Sequence, residues 1–352
     1  MAFTIPHVKI GRQIKYTMSL IFCGDLTFPY DCNIDYSNIQ HIFKGKTAIA
    51  NLEGNILPNR NELYNYKFKD KYSVYSQPNV IKVLQDLNIK YVSLCNNHIM
   101  DYKYPLEKTI TLLEKNHIKS WGVNNHDIIK TQLNGKSLYI ITFSTCANDH
   151  ALNLYNPDKV VEDIKKLKKE DCYVVVYPHW GIERLNYVEP ADRQHAHRMI
   201  NAGADLIIGH HPHIIQQIEI YKGKTIIYSL GNFIFPQTYY GNKKLIFNNP
   251  DILKELLIEW NGIEVKYHYL IFNPTTNILT IDTAPNPLQF ISHEVSDIKY
   301  LKFYKSKVNI INFYWLRRFN DSRNGEIWCY IRRQVFRLVR KFLIKLNLHT
   351  PK

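Results

Sequence analysis

The sequence predicts an α/β fold built around a sheet buried on both faces, and three observations carry that expectation. Short apolar, β-rich runs alternate with helical patterns from about Tyr16 to Ile291. The runs are almost continuously apolar, as strands covered on both sides are. A polar residue or a glycine closes nearly every run, at the position where ligands sit in open α/β sheets. In chain order the runs are 18–25 (MSLIFCGD), 47–53 (TAIANLE), 91–97 (YVSLCNN), 137–144 (SLYIITFS), 173–180 (YVVVYPHW), 204–211 (ADLIIGHH) and 225–232 (TIIYSLGN). Helical spacing marks Pro78 to Leu87, Pro105 to Lys115, Asp158 to Lys169 and Ala191 to Ala202. Two later runs, 263–272 and 278–284, have no helix between them and read as a hairpin turning through Asn273 to Asn277. The stretch from about His293 to Asn320 is rich in Tyr and Phe without a clear period, so it reads as a link or as surface packing. From Glu326 the apolar positions Ile327, Ile331, Val335, Leu338, Phe342 and Leu346 recur at helical spacing among Arg and Lys, predicting a basic amphipathic helix. The expected organisation is a domain over 17–291 and an aromatic, basic extension over 292–352.

Composition narrows the class. The chain has 352 residues, 45% apolar and 22% charged, which is a globular balance that needs no covalent staples. No run approaches the roughly 18 to 20 apolar residues of a membrane span, and the first twenty residues lack the apolar core and cleavage site of a signal peptide. Six scattered cysteines without a CxxC read as reduced and mostly buried, hence a cytoplasmic setting. The net charge is +14, but from Arg317 onward ten Lys or Arg face only Asp321 and Glu326, so +8 of it lies in the tail. With the charge concentrated there, no specific nucleic-acid partner is expected.

The strand ends carry the chemistry. Asp25 ends the first run, Glu53 follows the second, Asn96, Asn97 and His98 end the third, His179 ends 173–180, and His211 and His213 follow 204–211. Alone, a strand-end Asp or Asn is a turn or cap residue and a single His a satisfied structural one. Together they converge on one sheet edge, and carboxylate, amide oxygen and imidazole suit Zn²⁺, Mn²⁺ or Fe. His211-Pro212-His213 reads as an extended segment whose imidazoles face opposite sides, serving two adjacent metals or one metal and a substrate. Glu183, four residues after His179, either orients a ligand or contacts substrate, or is a surface charge. Asn232 lines the same edge or forms a turn. Asp101 either hydrogen-bonds His98 or caps a helix, and Arg193 is a weaker candidate.

These residues lie within strings that resemble one family closely. GDLTF, ANLEGNI, LCNNHIMDY, HWGIERL and the block NAGADLIIGHHPHIIQQIEIYKGKTIIYSLGNFIF, in this order from about Ser19 to Phe235, are similar to the CapA (poly-γ-glutamate capsule synthesis) family. That family resembles the calcineurin-like metallophosphoesterases, which implies a sandwich of two β-sheets flanked by helices with a site for one or two divalent metals. The resemblance implies Asp25, Glu53, Asn97, His179, His211 and His213 as metal ligands and His98 as the acid that protonates the leaving group. His210 falls one place early for the closing His-x-His pair. The superfamily's Asp-x-His reads Asp25-Leu26-Thr27 here, so one metal position loses an imidazole, and its bridging Asp is replaced by the longer Glu53.

Two functions follow. In the first, a metal lowers the pKa of its water from about 15.7 toward about 7, so that metal-bound hydroxide attacks a phosphorus or carbonyl centre while His98 acts as general acid. In the second, the chain is a non-catalytic accessory of capsule assembly that binds anionic polymer or protein partners at the membrane. Members of the family usually carry an N-terminal membrane anchor, and none is read at this N-terminus. The stripe over 326–352 would then give peripheral contact with the inner face of the membrane, or pack on the chain's own domain.

Overall fold

The computed structural model describes residues 18–59, 73–123, 127–147, 149–240, 243–247, 249–292 and 294–318. The amphipathic segment expected at 326–352 lies outside the described residues. The strands are β1 (Leu20–Leu26), β2 (Thr47–Leu52), β3 (Asn55–Ile56), β4 (Tyr75–Ser76), β5 (Ile89–Ser93), β6 (Lys119–Trp121), β7 (Ile129–Leu133), β8 (Lys136–Ser144), β9 (Cys172–His179), β10 (Leu206–Ile208), β11 (Ile218–Tyr221), β12 (Lys224–Ile227), β13 (Tyr239–Tyr240), β14 (Lys243–Lys244), β15 (Lys254–Trp260), β16 (Val265–Asn273), β17 (Ile278–Ile281) and β18 (Phe290–Ile291). The helices are α1 (Gln40–Phe43), α2 (Val80–Asp86), α3 (Leu106–Lys115), α4 (Pro157–Leu167), α5 (Pro190–Ala202) and α6 (Asp297–Arg318).

Two seven-stranded sheets face each other, in the orders β17-β16-β15-β1-β2-β5-β6 and β18-β11-β12-β10-β9-β8-β7. This is the two-sheet sandwich flanked by helices that the family resemblance implies. The period-2 alternation of side chains sorts each strand between two environments. Leu20 and Phe22 of β1, Leu138 and Ile140 of β8, and Val175 and Tyr177 of β9 fill the space between the sheets with Ile258 and Trp260. Their neighbours face outward: Ile21 and Cys23 pack with Ile39, Phe43, Val83 and Leu113 of the first helical layer. Tyr139, Val174 and Val176 pack with Val160, Ile164, Met199 and Tyr300 of the second. Both faces of the central strands are therefore apolar, which is why the runs look continuous in sequence.

The central strands are parallel: β1 pairs β2 with Asp25 opposite Asn51, and β9 pairs β8 with His179 opposite Ser144. Parallel pairing sends these chain ends to one edge. There the segment after β12 stitches the sheets together, since the Asp25 N–H donates to Gly231 O at 3.2 Å and the Phe233 N–H to Asp25 O at 2.6 Å. That approach leaves no room for a side chain at Gly24, where a Cβ would lie 2.2 Å from Gly231 O. The same holds at Gly209, where it would lie 2.1 Å from Tyr228 O.

Several elements differ from the sequence reading. β15 was not expected, yet it lies between β1 and β16 as an antiparallel strand. β16 and β17 form the expected hairpin. The aperiodic stretch after 292 contains α6, whose described side chains Tyr300, Phe303 and Tyr304 pack against the domain. Tyr300 is buried, and its hydroxyl donates to Val188 O at 2.9 Å. Arg193 of α5 reaches Asp297 at 2.7 Å and pairs with Glu219 through two nitrogens, so it serves this packing and not the strand-end edge. Among the described cysteines all are free, and Cys23, Cys95 and Cys172 are buried. Among the described residues no helix is long and apolar enough to cross a membrane.

Candidate metal centre

At the shared edge, one ligand atom each from Asp25, Glu53 and His179 lie within 4.8 Å of one another, and all three residues are buried. Asp25 ends β1, Glu53 is the first residue beyond β2, and His179 ends β9, so both sheets contribute. The Glu53 N–H donates to Leu26 O at 2.8 Å, which pins the carboxylate beside β1. Glu53 Oε2 has no hydrogen-bond partner among the described residues, although Glu53 is 0% exposed. Burial, and then the charge of Asp25, push the Glu53 carboxyl well above its ordinary range. A buried oxygen of this kind is costly unless a proton or a cation answers it. Two carboxylates and an imidazole are a donor set that a divalent cation fits.

The other predicted residues surround this cluster. Asn97 Oδ1 lies 2.7 Å from His179 Nε2. Asn96 donates to Leu52 O at 2.8 Å and accepts the His98 N–H at 3.1 Å, so it shapes the turn that presents Asn97 and His98. His98 Nδ1 lies 2.6 Å from Asp101 Oδ2, and the same oxygen accepts the Val74 N–H at 2.9 Å. Asp101 is therefore a partner of His98, and the residue capping α3 is Pro105. Burial works against a charged His98, but the Asp101 carboxylate, with Glu53 and Glu183, raises it to about 9. Burial and the neighbouring imidazoles hold His179 well below its ordinary value. Burial also takes His211 down to about 4. Glu183 lies in the turn after β9, half-buried, where its charge acts on Glu53, His98 and His211.

The His-Pro-His segment corrects the sequence reading. It is not extended: His211 and His213 have φ of +100° and +57°, a left-handed backbone rarely adopted outside glycine and a source of strain at functional sites. The His211 N–H donates to Asp25 Oδ2 at 3.1 Å, and its ring faces His179 with centroids 4.9 Å apart. His213 Nδ1 lies 2.9 Å from Asn232 Oδ1 and 3.5 Å from Asp25 Oδ2. Asn232 is buried, pairs as an isolated bridge with Asp25, and donates to Ile252 O at 3.3 Å, which fixes its oxygen toward His213. His210 turns away, its Nε2 3.1 Å from Cys23 O. Thr27, where an imidazole was missing, donates its hydroxyl to Tyr75 O at 2.7 Å.

One residue was missed. Asn51 is buried on β2, and its Nδ2 lies 2.8 Å from Asp25 Oδ1, 3.5 Å from Glu53 Oε1 and 3.4 Å from His179 Nδ1. Its signal was present as the one polar side chain inside an apolar strand, two residues before Glu53 and so on the same face.

Fold and site together define a two-sheet α/β protein with a buried cluster of metal-ligating side chains at its strand ends. The chain belongs to the bacterial capsule synthesis protein PGA_cap family, whose model matches residues 9–237. It is similar to the PGA biosynthesis protein CapA of Bacillus subtilis (strain 168), with 32% identity over 256 residues, 65% of this chain and 66% of the relative. It is likewise similar to the capsule biosynthesis protein CapA of Bacillus anthracis, with 31% identity over 257 residues, 66% of this chain and 59% of the relative. The chain thus spans about three-fifths to two-thirds of these relatives' length. Among solved structures it is similar to a novel phosphatase of Mycoplasma pneumoniae, with TM-score 0.41, 12% identity, and coverage of 75% of this chain and 90% of that one.

Proposed function

We propose that this chain is a CapA-type protein of capsule or exopolymer biosynthesis, of the poly-γ-glutamate kind, with a metal-dependent hydrolase site. The observation that carries the reading is the buried Asp25–Glu53–His179 cluster, with a Glu53 oxygen that has no partner among the described residues, beside a His98 imidazole held 2.6 Å from Asp101 Oδ2. Asp25, Glu53, Asn97, His179, His211 and His213 would hold Mn²⁺, Zn²⁺ or Fe, one ion or two. When bound, such an ion supplies Lewis acidity and lowers the pKa of its water.

The chain's own residues do the rest. Asp101 occupies His98 Nδ1, so Nε2 is the nitrogen left to give a proton to the departing oxygen. Asn96 holds the turn carrying Asn97 and His98 in register. Asn232 holds His213 by Nδ1 and leaves its Nε2 for ligation, as residues behind metal ligands do. Glu183 bears on His98 and His211 through its charge. The substrate class is a phosphoester or the anionic polymer itself.

A second reading, a non-catalytic accessory that uses the site to bind polymer or partners at the membrane, is favoured by Thr27. Its hydroxyl donates to Tyr75 O at 2.7 Å, and no imidazole stands at that position of the Asp-x-His pattern. Metal analysis of the purified protein, followed by assays on a generic phosphodiester and on γ-glutamyl polymer, separates the two. Bound metal with turnover of either substrate supports the hydrolase. No metal, and no turnover with added Mn²⁺ or Zn²⁺, supports the accessory. Peripheral membrane contact through 326–352 is tested separately: full-length protein should sediment with anionic vesicles at low salt, release as salt rises, and lose binding when truncated before Arg323.

A further inference from the structure

We propose that Asn51 is an additional ligand of the cation held by Asp25, Glu53 and His179, supplying an amide oxygen at a site whose Asp25-Leu26-Thr27 string lacks the imidazole. The inference rests on the metal-site reading above. Its side-chain nitrogen lies 2.8, 3.5 and 3.4 Å from Asp25 Oδ1, Glu53 Oε1 and His179 Nδ1, so the amide stands where the three ligands converge. A cation placed among those atoms is within reach of that amide. Strand register fixes this position: the Cα of Asn51 is opposite that of Asp25, and Asn51 shares its face of β2 with Glu53. The residue is 1% exposed, so the amide is enclosed together with these ligands.

An amide has two faces, and the two suit opposite conditions. Nδ2 donates to carboxylates and to an imidazole lone pair. The oxygen ligates hard cations, as Asn and backbone carbonyls do. A half-turn about Cβ–Cγ exchanges the two within the same volume. Oδ1 facing the Asp25 and Glu53 carboxylates is repulsive without a cation and favourable with one, so the amide's orientation is coupled to binding. Asn96 Nδ2, 3.4 Å from Asn51 Oδ1, keeps its stronger bond to Leu52 O at 2.8 Å and so survives the exchange.

The test is Mn²⁺ titration calorimetry together with the Co²⁺ visible spectrum, on the full chain and on Asn51→Leu and Asn51→Asp, with thermal melts in EDTA to show folding. Asn51→Leu should bind Mn²⁺ at least about tenfold more weakly and give a more intense Co²⁺ spectrum, as lower coordination numbers do. Asn51→Asp should bind as tightly as the parent or tighter. Wild-type affinity and spectrum in a folded Asn51→Leu would overturn the assignment. If Asn51→Leu fails to fold, Asn51→Asp decides, and a tenfold loss there also overturns it. A parent chain that binds neither ion refutes the metal site itself, whereas a parent that binds beside an unaffected Asn51→Leu refutes only the role of Asn51.

Discussion

His98 Nδ1 and Asp101 Oδ2 are 2.6 Å apart, three residues along the turn after β5, and the pair stands beside a predicted ligand, Asn97, without being part of the ligand cluster. That separation leads to the prediction that His98 acts in the chemistry and not in coordination. His98→Ala should keep most of its Mn²⁺ while turnover falls by about 10²- to 10⁴-fold, the range for a lost general acid. A substrate whose leaving group needs no proton should be partly spared. Equal loss on both kinds of substrate would sink the acid role.

Glu53 is predicted to trade stability for binding. Its partnerless Oε2 is buried next to the Asp25 carboxylate, which without a cation costs about 1–3 kcal/mol. Glu53→Gln removes the charge at nearly constant shape. Melting in EDTA should therefore show Glu53→Gln at least as stable as the parent, and added Mn²⁺ should stabilise the parent alone. A variant that melts lower in EDTA and still gains from Mn²⁺ would mean that Glu53 is a structural residue.

The sequence made the strand-end residues legible because parallel strands deliver their ends to one edge whatever the details of packing. Asp25, Glu53, His179 and Asn97 all lie where that rule puts them. Asn51 escaped because its one signal, a polar side chain inside an apolar strand on the face of Glu53, points to the site only once the register sets it opposite Asp25. The backbone of His211 and His213 escaped for another reason: nothing in a histidine announces a positive φ. β15 was hidden by Glu255, Glu259 and the adjoining Pro250, and α6 by a contact face that rests on Tyr300 and its neighbours.

Glu259, remote from the strand-end edge, should set part of the acid sensitivity of the fold. Burial alone would raise its carboxyl, but hydrogen bonds from Ser19 at 2.7 Å, His268 at 2.9 Å and Lys46 at 3.1 Å hold it down at about 2. A carboxyl depressed by folding contributes stability above its unfolded value, about 4.3, and loses it as pH falls through about 2. Glu259→Gln should therefore lower the melting temperature at pH 6 and narrow its gap to the parent between pH 4.5 and 2. A gap that stays constant over that window would show that the three donors do not act through the charge.

Arg193 and Glu219 are predicted to matter as a pair more than as individuals. Arg193 is 2% exposed and Glu219 0%, joined at 2.7 and 3.1 Å, with the Tyr228 hydroxyl donating to the same carboxylate at 2.9 Å. The remaining Arg193 nitrogen reaches Asp297 at 2.7 Å and so anchors the first turn of α6. Removing Arg193 leaves the Glu219 carboxylate only the Tyr228 hydroxyl and the His197 imidazole 3.0 Å away, and losing one partner of a buried pair costs about 3–5 kcal/mol, whereas neutralising both costs far less. Urea denaturation should show Arg193→Met strongly destabilised and Arg193→Met with Glu219→Gln recovering most of the loss, since glutamine still accepts from Tyr228. The double variant should nevertheless expose α6, because the tie to Asp297 is gone from both proteins, and limited trypsin digestion should cut earlier at Lys299 and Lys302 in each. Recovery of stability without earlier cleavage would mean that Tyr300, through Val188 and Gln217, and Phe303 against Tyr187 hold the helix without the arginine. A double variant no more stable than Arg193→Met would mean that the buried charge on Glu219 is not what the arginine answers.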